Sequence, residues 1–137
     1  MTGHPYSPAL MERFRRPRNR GSLRHPTITE EGSNPLCGDR VRFDMLLEGE
    51  RVRDARFSAN ACAICSASAD QLADLVRNAY LDEVETLTVQ DLLNALKATI
   101  PQARMNCLRL PLTVMHVAIK RYREQGKEGA STRGADP

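Results

Sequence analysis

Val41-Arg42-Phe43-Asp44-Met45-Leu46-Leu47, then Glu48-Gly49-Glu50, then Val52-Arg53-Asp54-Ala55-Arg56-Phe57: this stretch decides the fold. The first arm alternates apolar and polar residues before ending on an apolar pair, and the second arm continues in the same style. That is the period of a strand with one buried face. A glycine between two glutamates supplies the turn, so the two arms form an antiparallel hairpin.

Beyond the hairpin the period lengthens. Ser66 to Val76 carries Ala67, Leu72, Leu75 and Val76 with few breakers and reads as a helix. Residues 82–88 fit neither period. Thr88-Val89-Gln90-Asp91 resembles a capping box with Asp in place of Glu, opening a helix through Leu92, Leu93 and Leu96. Met105, Leu108, Leu112, Met115, Ile119 and Tyr122 recur at spacings of three and four, which marks a last helix over roughly 103–124. Pro111 lies inside it and cannot donate to the carbonyl of Cys107, so a kink or a late start is expected there. Residues 125–137 are polar and are expected to form a disordered tail.

On the other side of the hairpin, residues 7–16 read as a short helix. Ser7 caps it and Pro8 takes its first position, where the missing N–H costs nothing. Leu10 and Phe14 share one face for docking, and Pro17 ends the helix. Residues 17–36, rich in Pro, Gly, Ser and Thr, are expected to be a linker. The expected fold is therefore α+β, with a small antiparallel sheet packed on one side by helices. It forms one domain over 1–124, in which 1–36 is the N-terminal helix and linker.

The bulk of the chain agrees with this. Its 137 residues suit one modest core, built without Trp and with only 4% aromatics. No apolar run approaches the ~18 residues of a membrane span, and no membrane association is expected. Residues 1–26 hold six arginines against one acid, Glu12. No stacking aromatics interleave them and no groove-reading motif follows, which argues against nucleic acid and for an acidic patch on a protein partner. The first residues lack an apolar segment, so a cytoplasmic location with reduced cysteines is expected.

Four cysteines stand at ends of elements: Cys37 before the hairpin, Cys62 and Cys65 after it, and Cys107 at the start of the last helix. Cys37-Gly38-Asp39 sets a thiolate and a carboxylate two residues apart, and the intervening Gly permits a backbone tight enough to turn both toward one point. Zinc accepts sulfur and oxygen ligands, and iron–sulfur clusters take thiolates. Each cysteine also has a plain alternative as a small core residue. Cys62-Ala63-Ile64-Cys65 is spaced as a redox pair opening a helix, but the βαβ setting of that motif is missing. Spacing alone admits a metal and goes no further.

The words around these cysteines resemble the U-type iron–sulfur assembly scaffolds, the group of IscU, SufU and the NifU N-terminal domain, from about Tyr6 to Tyr122. Tyr6-Ser7 and Phe14-Arg15-Arg16-Pro17-Arg18-Asn19-Arg20-Gly21 are similar to the family's first helix and its F-x-N-P-R-N-x-G segment. This explains an Arg-rich start that would otherwise suit a transit peptide. Asn34-Pro35-Leu36-Cys37-Gly38-Asp39-Arg40 resembles the first ligand loop in its SufU wording. Phe57 to Asp70, with Cys62 and Ser66-Ala67-Ser68, resembles the second, and Ala103-Arg104-Met105-Asn106-Cys107 the third.

The resemblance implies the α+β sandwich of that family and a metal site on Cys37, Asp39, Cys62 and Cys107. It implies a [2Fe–2S] cluster held by Cys37, Cys62 and Cys107 in transit, or Zn2+ on the same residues. Cys37 and Cys107 are the candidate persulfide acceptors. The implied partners are a cysteine desulfurase and iron–sulfur acceptor proteins, with the chain a monomer or weak homo-oligomer. The implied role is that of a scaffold or sulfur acceptor rather than a metabolic enzyme, and the resemblance leaves room for sulfurtransferase-like activity. The alternatives to cluster assembly are a zinc-bound sulfur acceptor that stimulates the desulfurase, and a structural-zinc interaction domain.

Several positions depart from the family wording. Asn106 stands where IscU and NifU branches carry His, and Ala61 where Gly usually precedes the second Cys. Cys107 follows Cys62 by 45 residues, too few for the usual SufU insertion. Ile100-Pro101-Gln102-Ala103-Arg104 is a degraded chaperone-recognition segment. Cys65 occupies a place that commonly holds a small non-thiol residue. It is either an auxiliary ligand, if the helix begins early enough to put 62 and 65 on one face, or a packed core residue. His4, His25 and His116 are not expected to be ligands.

Overall fold

The computed structural model describes residues 7–132, and side chains as far as residue 125. The hairpin is present as β2 (Asp39–Glu48) and β3 (Arg51–Asn60), joined at Gly49 with φ +60. Val41, Phe43, Met45 and Leu47 of β2, with Val52, Ala55 and Phe57 of β3, line the buried face. A register shift lies between Leu46 and Leu47, where the sequence breaks its alternation.

A third strand, β1 (Ile28–Asn34), lies inside the stretch expected to be a linker. It pairs antiparallel with β2 from Ile28↔Met45 to Asn34↔Asp39, giving the sheet order β1-β2-β3. Only Ile28 of its seven residues is a buried apolar side chain, so the hydrophobic pattern was silent there. Gly32 is required by packing: a Cβ at that position would come within 2.7 Å of Val114 Cγ2.

The helices are α1 (Pro8–Arg15), α2 (Ala63–Val76), α3 (Leu81–Glu85), α4 (Val89–Leu96) and α5 (Met105–Thr132). In α1, Ser7 accepts from the N–H of Leu10 as expected; Leu10 is fully buried, whereas Phe14 stays 40% exposed. The capping box of α4 forms, with the N–H of Asp91 on Thr88 Oγ1 and that of Thr88 on Asp91 Oδ2. A 3-10 turn, Gln102–Arg104, precedes α5, which starts at Met105 and continues through Pro111. Its backbone stays helical to Thr132, eight residues into the stretch expected to be disordered; residues 133–137 lie outside the described residues. Helix α5 packs on β1 and β2, and α2 packs on β3 and α5, so the helices bury the apolar side of the sheet. Among the described residues no helix is long and apolar enough to cross a membrane.

Candidate metal centre

The loop between β1 and β2 is folded around Asn34. Its carbonyl accepts from the N–H groups of Cys37 at 3.2 Å and Gly38 at 2.7 Å, while its Oδ1 accepts from the N–H of Leu36 at 3.0 Å. Gly38 has φ +78, a left-handed conformation that a side chain would strain. Cys37 is thereby held at the exposed tip, and Asp39, two residues on, opens β2 with only 5% of its surface exposed.

Helix α2 begins at Ala63, three residues earlier than the apolar pattern predicts, so Cys62 is its N-cap and Cys65 falls in its first turn. The N–H of Cys62 donates to Asp39 Oδ1 at 3.2 Å. The Cys62 thiol makes no cap hydrogen bond and sits at the positive end of the helix dipole. Cys107 is the third residue of α5 and is 6% exposed.

The structure brings Cys37, Asp39 and Cys107 together: their donor atoms all lie within 4.8 Å of one another. Cys62 lies outside that set but next to it, against Cys107. Burial first, then a hydrogen bond with Cys62 and the charges of Cys62, Asp39 and Cys37, push the Cys107 thiol up to about 12. Cys65 is fully buried and is not in the donor set. Its thiol is pushed far up by burial, with Asp39, Cys62, Cys107 and Cys37 all adding to the effect. Asp39 Oδ2 is buried and has no hydrogen-bond partner. A buried carboxylate oxygen without a donor is costly, and a cation is the partner such a cluster of donors suits.

Asn106 is exposed and its Oδ1 accepts from Arg109 at 3.0 Å. His116 faces away, with Nε2 3.0 Å from the carbonyl oxygen of Val84, and His25 is exposed outside the set; His4 lies outside the described residues.

Sequence reasoning missed the device that fixes α2. Asp70 is fully buried and its Oδ1 accepts from the N–H of Asn19 at 2.8 Å, while its Oδ2 accepts from Arg13 at 2.8 Å. Asn19 in turn donates to Asp74 Oδ1 at 3.0 Å and accepts from Arg77 at 2.6 Å. An aspartate among the apolar residues of a helix was the available signal, since such a group is buried only when partnered. Through it the N-terminal segment clamps the helix that carries Cys62.

Residues 5–129 match the NifU-like N terminal domain family. The zinc-dependent sulfurtransferase SufU of Bacillus subtilis is 38% identical over 72 residues, which are 53% of this chain and 48% of that protein. The iron-sulfur cluster assembly scaffold protein IscU of Aquifex aeolicus is 30% identical over 119 residues, 85% of this chain and 75% of that protein. The bifunctional protein NifU/MnmA of Rubrobacter xylanophilus is 30% identical over 118 residues, 85% of this chain. The chain spans about a quarter of the Rubrobacter protein and about half of the Bacillus one. A solved N-terminal NifU-like protein from Brucella abortus shares the fold with a TM-score of 0.74 at 20% identity, covering 88% of this chain and 95% of that one. This chain belongs to the NifU-like N-terminal domain family.

Proposed function

We propose that this chain is an iron–sulfur cluster assembly scaffold. Cys37, Asp39, Cys62 and Cys107 hold the metal, a cysteine desulfurase delivers sulfur to Cys37 or Cys107, and a [2Fe–2S] cluster built there passes to acceptor proteins. One observation carries the reading: donor atoms of Cys37 just before β2, of Asp39 at its start and of Cys107 in α5 converge within 4.8 Å, and Asp39 has a buried carboxylate oxygen with no partner.

The donor set fits the cargo. Thiolates bind iron durably and a carboxylate less so, which suits a site that must release what it assembles. Asp39 is the labile member and Cys37, Cys62 and Cys107 the durable ones. Cys62 has its backbone fixed by Asp39, and its thiol stands against that of Cys107, beside the set. Bound Zn2+ would keep the ligating thiols deprotonated at neutral pH. Exposure favours Cys37 as the first sulfur acceptor, since a persulfide donor must reach the attacking thiolate. Arg15, Arg16, Arg18, Arg20 and Arg24 are exposed and form the docking element for the desulfurase.

A zinc-bound sulfur acceptor that stimulates the desulfurase is the second reading. It is favoured by Asn106, whose Oδ1 accepts from Arg109, and by similarity to a relative named as a zinc-dependent sulfurtransferase. The test is anaerobic incubation with a cysteine desulfurase, L-cysteine, ferrous iron and reductant. A [2Fe–2S] absorption spectrum supports the scaffold. Tight zinc and persulfidation without a cluster support the acceptor, and an absence of persulfide contradicts both.

A further inference from the structure

Cys65 is a buried thiol beside the site that metal binding does not use. Its position relative to Cys62 is specific. Cys62 is the N-cap of α2 and Cys65 the third helical residue, the two positions whose side chains meet in a capping box. The same two positions of α4 hold Thr88 and Asp91, whose side-chain oxygens are 3.0 Å apart. A Cys-X-X-Cys pair at the start of a helix is also the placement in which dithiol chemistry occurs. The pair is asymmetric as well: Cys62 is partly exposed and Cys65 is sealed in the core. The thiol that meets a donor and the thiol that resolves it are thus separated by access. The unpartnered Oδ2 of Asp39, whose other oxygen holds the N–H of Cys62, faces the same thiol cluster.

We infer that Cys62 and Cys65 form a resident dithiol that reduces sulfane sulfur received at the site to sulfide. The inference rests on the sulfur-accepting function proposed above. In the step, the accepting thiol first passes its outer sulfur to the Cys62 thiolate and regains its own thiol. The resulting persulfide on Cys62 is attacked at the inner sulfur by the sulfur of Cys65. The Cys62–Cys65 disulfide bond forms and the bond to the outer sulfur breaks. The outer sulfur leaves with the electron pair and, taking the proton of Cys65 and its own, departs as hydrogen sulfide. One sulfane sulfur gains two electrons and the cysteine pair loses two. The sulfide is in the oxidation state a cluster contains, and an external dithiol resets the pair.

The experiment uses the full chain, stripped of metal and held anaerobically, with inorganic polysulfide as the probe so that no desulfurase is needed. Released sulfide is measured, and disulfides are mapped by mass spectrometry after digestion. The wild type is expected to lose about 2 Da through a Cys62–Cys65 link and to release about one sulfide per chain more than the sulfide freed by persulfide formation alone, which the Cys65 variants measure. Cys65→Ser and Cys65→Ala, each checked for an unchanged melting curve, are expected to keep a persulfide on Cys62 and to release sulfide about tenfold more slowly. A wild type that stores persulfide without a Cys62–Cys65 link overturns the dithiol and leaves the acceptor function standing. A chain that takes up no sulfur on any cysteine overturns both.

Discussion

The backbone N–H of Cys62 and Oδ1 of Asp39 are joined by a hydrogen bond of 3.2 Å, which ties the N-cap of α2 to the first residue of β2. One oxygen of Asp39 is therefore structural and the other, Oδ2, is left buried without a partner. Asp39→Ala removes both. Zinc is expected to raise the melting temperature of the wild type and to leave that of Asp39→Ala nearly unchanged, as read by calorimetry with and without the metal. Equal stabilisation of the two proteins contradicts a ligand role for Asp39.

Thiol reactivity in the metal-free protein should follow exposure. Cys37 is exposed, Cys62 intermediate, Cys107 nearly buried with its thiol pushed up to about 12, and Cys65 sealed. Alkylation with iodoacetamide, followed by mass spectrometry, is expected to modify Cys37 first and Cys65 last. Zinc should protect Cys37, Cys62 and Cys107. Early modification of Cys65 contradicts the placement.

Asn106 is exposed and its Oδ1 accepts from Arg109. Asn106→Ala is expected to change zinc affinity by less than about twofold in a competition titration, within what a surface substitution does. A loss of tenfold or more would assign Asn106 to the site.

Asp70 holds Arg13 and the N–H of Asn19 in a buried network. Asp70→Ala strands those donors and is expected to cost about 3–5 kcal/mol in urea unfolding. It should also weaken metal binding, because α2 carries Cys62. A cost below about 1 kcal/mol contradicts the clamp.

The same clamp gives a pH dependence. Burial alone raises the pKa of Asp74, but hydrogen bonds from Arg13, Asn19 and Arg77 and the charge of Arg13 outweigh it and hold the carboxyl below its ordinary 3.8. A depressed folded pKa stabilises the fold above the unfolded value, and that stability is lost as pH falls through the folded one. Melting temperature is expected to drop below about pH 4 and to drop less in Asp74→Asn. Identical acid profiles contradict the pairing.

What could be read from sequence follows the physics of each element. Val41 to Phe57 carried its period openly, because one face is buried, and Thr88 with Asp91 carried the cap of α4. Strand β1 was hidden, since Thr29, Glu30, Glu31, Ser33 and Asn34 give no apolar alternation. The start of α2 was placed three residues late because Cys62 to Cys65 gives no helical period, although it is this early start that puts Cys62 on Asp39. The grouping of Cys37, Asp39 and Cys107 rested on resemblance, as spacing cannot bring together residues 68 positions apart in the chain. The Asn19–Asp70 contact was invisible because long-range polar pairing leaves no periodic trace.

The central claim, a site of three thiolates and one carboxylate, is tested most directly by the absorption of the Co2+-substituted protein. The sulfur-to-cobalt charge-transfer band is expected to lose about a third of its intensity in each of Cys37→Ser, Cys62→Ser and Cys107→Ser, and to stay unchanged in Cys65→Ser. A band that survives in Cys62→Ser, or that falls in Cys65→Ser, contradicts the donor set.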